Sequence, residues 1–355
     1  MKIGIDVRPL SSDLTGIGRY TINVLEHLFD LRKDIDWYLY SDKPIKYEFT
    51  GNNIHIRTGR NGEIIKGVIF SQLLFPWWAI RDKLDVFWSP RHHLPILLYF
   101  SKNIKKVVTI HDIVWIKYPE TMSKYGLILE KILFIPSIKM AKNIITVSNF
   151  TQNELNQTFL FTKEKTCSIP LQSFIRKDEL DYIPPPKIEQ RYILFVGTLE
   201  PRKNLNNLLY AFKAIKNNFA DLQLVIVGKE GWGNTNLYTI INELNLENRT
   251  ILTGFISDSE LLSLYKHCDL LAMPSVYEGF GLPALEALSL NKKVVISHFN
   301  AISEIKGDNI FLTKLDIKSI AETITLALNS TPRNLAKISS RWDNIAQKTI
   351  EVLLD

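Results

Sequence analysis

Only two cysteines occur in 355 residues, Cys167 and Cys268. They stand far apart in apolar surroundings, so the chain has neither a disulfide framework nor the clustered spacing of a metal site, and a reducing compartment is the simplest setting. No uncharged apolar run reaches the roughly 18 residues a membrane span requires. The nearest candidates are GVIFSQLLFPWWAI (67–80) and LPILLYF (94–100). The opening MKIGIDVRPL lacks an apolar stretch of signal-peptide length. The expectation is a cytoplasmic protein, peripheral on the inner face of a membrane at most. G-x-G-x-x-G is missing, which argues against a Rossmann dehydrogenase, and there is no Walker loop. Aromatic residues do not interleave with a basic stripe, so no nucleic-acid partner is expected. The one Asp-x-Asp, DID at 34–36, precedes a strand. That sets it at the amino edge of a sheet, away from where open α/β sheets bind ligands. It reads as a solvated turn, and no metal is expected.

What is present is ordinary globular composition, 46% hydrophobic and 23% charged, in a chain long enough for two domains. The net charge of +6 is uneven: residues 1–186 hold 25 Lys and Arg against 19 Asp and Glu, and residues 187–355 hold 18 against 18. A basic half suits an anionic partner, and it is equally compatible with a mildly unbalanced solvated surface. Short apolar runs alternate with helical patterns. KIGIDV, WYLY, NIHIR, DVFWS, KVVTI, NIITV and CSIPL serve as strands in the first half, and YILFVGT, QLVIVG, TILTGF, LLAMPS and KVVISH in the second. Helix-length segments such as 18–31, 63–81, 124–141, 203–218, 258–267 and 281–290 lie between them. Near-continuous apolar strands separated by helices predict parallel sheets covered on both faces. Three prolines in DYIPPPKIEQR mark a linker. The expected organisation is a Rossmann-like domain over 1–180, a linker at 181–191, a second Rossmann-like domain over 192–332, and one terminal helix over 333–355 that packs back on the first domain. A cleft between the two carboxyl edges is where ligands belong.

Several strand ends carry polar groups. RPLSSDLTGIGRY (8–20) places Gly16 and Gly18 before a helix expected near Arg19. Such a loop can present N–H groups to an anion, or can simply be a turn that needs glycine. KVVTI ends on His111–Asp112, and SPRHHLP brings Arg91, His92 and His93 to the same edge. These can orient a polar ligand or bear a proton, or can be structural loop residues. VGTLEPRKNLNNLLYAF ends a strand at Gly197 and then sets Arg202 and Lys203 at a helix start, where the dipole already repels cations unless an anion is to arrive. VIVGKEGWGN offers Gly228 and Lys229, which can pack against a base or ribose. PSVYEGFGLPALEA places Glu278 in a loop with Gly279 and Gly281. Glu286 falls inside an apolar helix, where a buried carboxylate needs a polar partner such as a vicinal diol.

Glu278-x₇-Glu286 within EGFGLPALEA, together with GTLEPRKN, resembles the retaining, nucleotide-sugar-dependent glycosyltransferases of family 4, whose GT-B fold pairs two Rossmann-like domains facing across a cleft. The resemblance covers nearly the whole chain and includes TVSNFTQNEL (146–155). It implies that Glu278 contacts donor-sugar hydroxyls and Glu286 holds the ribose diol, with Phe280, Gly281 and the adjoining Gly279 and Leu282 near sugar and phosphate. It implies that Arg202 and Lys203 bind the diphosphate, that the Gly16–Gly18 loop closes over the phosphates, and that His111 lies near the donor sugar with Asp112 beside it. Gly197, Gly228 and Lys229 complete the expected donor site. Arg91, His92, His93 and Asp112 are the acceptor candidates, although SPRHHLP and residues 60–80 follow no family pattern.

The chemistry expected is metal-independent transfer of a hexose with retention, the cations acting as a fixed electrostatic trap for the leaving diphosphate. GTLEPRKN most resembles enzymes of bacterial surface-polysaccharide synthesis that often use GDP-mannose. The acceptor is expected to be lipid-linked or an oligosaccharide, with Lys102, Lys105 and Lys106 meeting anionic headgroups beside LPILLYF. LLFPWW reads equally as a core helix. A sugar-nucleotide epimerase, a phosphorylase and a non-catalytic nucleotide-sugar-binding subunit remain the alternatives.

Overall fold

The computed structural model describes residues 1–12, 14–59, 67–175, 188, 190–233, 236–298, 301–338 and 341–355. Most of the expected linker at 181–191 and the start of the expected helix at 63–81 lie outside them. The chain forms two units. Met1–Ile113, Tyr125–Leu171 and Arg341–Asp355 make the first, and Val114–Lys124 with Gln172–Ser340 make the second.

The first unit is built on β1 (Lys2–Asp6), β2 (Asp36–Ser41), β3 (Ile54–Thr58), β4 (Val86–Ser89), β5 (Lys105–Ile110), β6 (Asn143–Thr146) and β7 (Thr166–Ser168). They pair in parallel in the order β3-β2-β1-β4-β5-β6-β7. The order reverses between β1 and β4, the switch point at which doubly wound sheets open a crevice for ligands. Every residue of β1 and β5 after the first is buried, as strands covered on both faces must be. Helix α1 spans Gly16–Leu31, with Thr15 as its extended N-cap. Gly16 and Gly18 therefore lie in its first turn instead of in a loop ahead of Arg19. Gly18 packs so tightly on the preceding segment that a Cβ would sit 3.1 Å from the Pro9 carbonyl oxygen. Helix α2 (Gly67–Arg81) divides LLFPWW between two faces: Phe75 and Trp78 are buried with Phe70, while Leu73 and Trp77 are exposed with Ile69 and Ile80. A short α3 (Val114–Lys117), part of the second unit, precedes α4 (Lys124–Met140) and α5 (Asn149–Thr158). Ser148 caps α5, its Oγ accepting the Thr151 N–H at 2.9 Å.

The second unit holds β8 (Arg191–Val196), β9 (Leu222–Val227), β10 (Thr250–Gly254), β11 (Leu270–Met273), β12 (Lys293–Ser297) and β13 (Ile310–Thr313), all parallel, in the order β10-β9-β8-β11-β12-β13. Its switch point lies between β8 and β11. Alternate residues of β8 feed opposite cores: Ile193 and Phe195 pack with α6 (Leu205–Ile215), and Tyr192, Leu194 and Val196 pack with Leu264 and Leu285. α7 (Leu237–Glu243), α8 (Asp258–His267), α9 (Leu282–Ser289) and α10 (Ile317–Asn329) cover the sheet. Ser257 and Glu260 form a reciprocal capping box at α8.

The last helix, α11, spans only Trp342–Leu354 and belongs to the first unit, where it packs on α1. The expected helix from 333 does not form because residues near 334–336 bond elsewhere. The Asp308 N–H donates to the Asn334 carbonyl at 2.8 Å, and the Ala336 N–H to Asn309 Oδ1 at 2.8 Å. At the C-terminus of α11, Lys105 Nζ donates to the Val352 and Leu353 carbonyls at 2.9 and 3.1 Å, a favourable place for a cation. Lys106 is buried with its ammonium on the Ser101 carbonyl at 2.6 Å, so of the three lysines proposed for headgroups only Lys102 is exposed.

Candidate active site

In the second unit, the loops after β8 and β11 meet beside the switch point. β8 runs into Gly197, whose φ of 155° a side chain rarely adopts. The loop after β9 lies directly upon it: a Cβ on Gly228 would fall 1.9 Å from the Gly197 carbonyl oxygen, so only glycine fits. Pro201–Lys203 then form a 3-10 turn, and Asn204, left-handed at φ 56°, redirects the chain into α6. Arg202 and Lys203 thus precede α6 by a separate turn instead of occupying its first turn, which is where the sequence placed them. The Val276 N–H donates to the Arg202 carbonyl at 2.8 Å and ties this turn to the loop after β11.

That tie brings Glu278 between the two cations. Lys203 Nζ is 2.5 Å from Glu278 Oε1, and Arg202 Nη1 donates to Glu278 Oε2 at 3.0 Å and to the Tyr277 carbonyl at 2.9 Å. Arg202 Nη2 reaches Glu200 Oε1 at 2.8 Å. Burial alone would raise the Glu278 carboxyl, but Arg202 and then Lys203 outweigh it and hold its pKa at about 2. The carboxylate is therefore a poor proton acceptor. The sequence reading left these cations unopposed, waiting for an anion; the structure gives each a carboxylate partner. Glu200 was missed because nothing in its spacing distinguishes it from a solvated turn residue. Gly279 and Phe280 follow Glu278, and Gly281, left-handed at φ 90°, opens α9 ahead of Leu282. Glu286 is buried within α9.

Gly228 and Lys229 line a pocket of about 330 Å³ together with Leu199, Tyr238, Gly254 and Phe255. Its floor is the carboxyl edge of β9 and β10. Lys229 Nζ stands 4.4 Å from the Phe255 ring centroid, and Tyr238 and Phe255 expose aromatic surface there. A flat heteroaromatic group fits such a wall, with the lysine as a polar handle.

In the first unit the switch-point edge gathers a different set. Asp6 closes β1 and is gripped by Arg8 through Nε at 2.9 Å and Nη2 at 2.6 Å. After β4 come Arg91, His92 and His93, and after β5 come His111 and the half-buried Asp112. Glu130 of α4 pairs with both histidines, at 3.1 Å to His92 Nδ1 and 3.0 Å to His93 Nε2. His92 Nε2 accepts the His111 backbone N–H at 3.1 Å, which leaves the His92 proton on Nδ1, toward Glu130. The Nε2 of His111 faces the Pro90 carbonyl at 2.8 Å, so that nitrogen carries the proton and Nδ1 is the acceptor. Burial, then the neighbouring His92 imidazole, pull the His111 pKa down to about 3. At neutral pH His111 can accept a hydrogen bond but is not an imidazolium acid. Burial works against a charge on His92, yet Glu130 raises it. Glu130 was invisible in the sequence because it meets the histidines only through the packing of α4.

DID sits where the strand assignment put it. Asp36 opens β2, and Asp34 bonds Arg32 in the turn before it at 2.7 Å. Among the described residues no cluster of three or more His, Cys, Asp or Glu is arranged to hold a metal.

These two edges and two Rossmann-like sheets define a class. Residues 14–171 match the profile of Glycosyltransferase Family 4 and residues 177–349 that of Glycosyl transferases group 1. The chain belongs to these glycosyltransferase families and has the GT-B fold. Within the class it is similar to the O-antigen chain mannosyltransferase B of Escherichia coli, at 28% identity over 99% of this chain and 98% of that protein. It is also 27% identical, over 87% of this chain and 84% of the other, to the N-acetylgalactosamine-N,N'-diacetylbacillosaminyl-diphospho-undecaprenol 4-alpha-N-acetylgalactosaminyltransferase of Campylobacter jejuni. Sucrose-phosphate synthase from Thermosynechococcus elongatus shares the fold, with a TM-score of 0.71 at 17% identity over 100% of this chain and 95% of that one.

Proposed function

We propose that the protein transfers mannose from GDP-mannose, with retention and without a metal, to a lipid-linked or oligosaccharide acceptor in cell-surface polysaccharide synthesis. The observation that carries this reading is the convergence of Arg202, Lys203 and Glu278 beside the switch point between β8 and β11. The pocket at Gly228 and Lys229 takes the base, and Glu286 takes the ribose diol. The arriving diphosphate takes over donors that Glu200 and Glu278 now hold, which frees Glu278 to accept from sugar hydroxyls. The sugar C1–oxygen bond then breaks, and its electron pair stays on the diphosphate, stabilised by Arg202 and Lys203. The acceptor oxygen bonds C1 from the same face, and its proton passes to a leaving-phosphate oxygen. No protein nucleophile is needed, consistent with a carboxylate held near pKa 2 by two cations. The mannose and surface-polysaccharide assignments draw on the Escherichia coli relative, and the lipid-linked option on the Campylobacter one.

The test is a panel of nucleoside-diphosphate hexoses, scored by thermal stabilisation and slow hydrolysis, with and without EDTA. Selective, EDTA-insensitive response to GDP-mannose is expected. In the same assay Arg202→Ala lowers kcat at least 100-fold, equivalent to about 3 kcal/mol, and shifts donor Kd far less. Isomerised nucleotide sugar would indicate an epimerase, phosphate-dependent turnover a phosphorylase, and no response to any donor a binding subunit.

A further inference from the structure

Among the described residues, most side-chain charges at the switch point of the first unit have a close partner. Arg8 is committed to Asp6, and its Nη1 donates to the Gly67 carbonyl at 2.9 Å. His92 and His93 are committed to Glu130. Arg91 stands two residues past the end of β4, half-buried; its carbonyl accepts from Ser89 Oγ at 3.0 Å, but its guanidinium makes no hydrogen bond or ion pair with any described residue. Its charged neighbours, Arg8, Asp6, Glu130 and Asp42, act on it only from beyond contact distance, and it in turn acts on His111. Burial first and the Arg8 cation second depress the Arg91 pKa. A guanidinium carries five N–H donors and stays charged. Holding it partly desolvated beside a second cation costs stability, which the carboxylates of Asp6, Glu130 and Asp42 offset only from a distance.

We propose that Arg91 is a phosphate-binding residue of the acceptor site, receiving the diphosphate of a lipid-linked acceptor. The inference rests on the transferase reading above and narrows its acceptor from lipid-linked or oligosaccharide to a polyprenyl-type diphosphate. Three observations within the first unit support it. The planar fork of Arg91 matches a two-oxygen face of phosphate. It lies at the switch-point edge, beside His111. The same unit exposes Ile69, Leu73, Trp77 and Ile80 on α2, with Tyr99 and Phe100 on the 3-10 turn that packs against α2, apolar surface suited to a lipid tail.

Calorimetry on the full chain tests it with inorganic pyrophosphate, farnesyl diphosphate and glucuronate, each titrated with and without saturating GDP. The expected result is GDP-insensitive binding of farnesyl diphosphate, tighter than pyrophosphate, that weakens at least tenfold in Arg91→Gln and by a smaller factor in Arg91→Lys. Because the Arg91 guanidinium has no partner among the described residues, Arg91→Gln should melt at or above the wild-type temperature, whereas loss of a structural residue would lower it. Wild-type affinity in Arg91→Gln overturns the proposal, and so does a melting temperature well below wild type. Equal affinity for the two diphosphates removes the lipid assignment, and binding of glucuronate alone makes the ligand a carboxylate. Absence of GDP binding would sink the donor reading while leaving Arg91-dependent diphosphate binding intact.

Discussion

His111 keeps its proton on the nitrogen facing Pro90, and burial followed by the neighbouring His92 imidazole holds its pKa near 3. Between the ordinary histidine value of about 6.5 and that figure, the unfolded chain takes up a proton that folded His111 refuses, so acid weakens the fold across this window. The melting temperature should therefore fall between pH 7.5 and 5.5 less steeply in His111→Gln than in wild type. The difference should be worth about 1 kcal/mol per pH unit, and parallel pH profiles would refute it. The sequence showed that a histidine ended β5 and a histidine pair followed β4. It could not show which nitrogen bore a proton, because Glu130 and Pro90 decide that from distant positions. Glu278 repeats the pattern: its place in a glycine-containing loop was legible, but its pairing with Arg202 and Lys203 was not.

At the scale of elements, periodicity located the strands and most helices. α8 fills Asp258–His267, the range read from its pattern, because Ser257 and Glu260 satisfy its first N–H groups by local chemistry alone. The starts that differed are those decided by packing. Gly16 and Gly18 read as a loop, yet α1 begins at Gly16, and close approach to Pro9 makes glycine useful at Gly18 inside its first turn. Left-handed Asn204 divides Arg202 and Lys203 from α6, and the bonds of Asn309 and Asp308 shorten α11. Gly228 gives the sharpest test among the elements. Gly228→Ala places a methyl against the Gly197 carbonyl and also strains φ, so it should destabilise by about 2–4 kcal/mol in urea unfolding. It should also disturb the adjoining pocket. A loss under about 0.5 kcal/mol would show that the two loops separate easily.

Across the whole molecule, the positive excess of the first half and its exposed apolar rows point the same way. Trp77 is 54% exposed with the Arg81 guanidinium 5.4 Å from its ring centroid, a pairing suited to a lipid interface. Among the described residues no helix is long and apolar enough to cross a membrane. Vesicles containing anionic lipid should sediment the protein, neutral vesicles much less. Leu73→Ser with Trp77→Ser should cut the bound fraction at least fivefold without changing the melting temperature by more than a few degrees. Equal binding of the double variant would remove α2 as the contact.

The sequence by itself determined the two α/β series, the strand ends that carry polar groups and the family resemblance. Each depends on the order of residues over short spans, which hydrophobic period and turn chemistry make visible. Only tertiary structure decided which charges neutralise one another. Glu200 and Glu278 close on Arg202 and Lys203, Glu130 closes on two histidines, and the Arg91 guanidinium is left without a close partner among the described residues. Coulomb energy depends on separation in space and on burial, and folding sets both for residues that the chain keeps far apart.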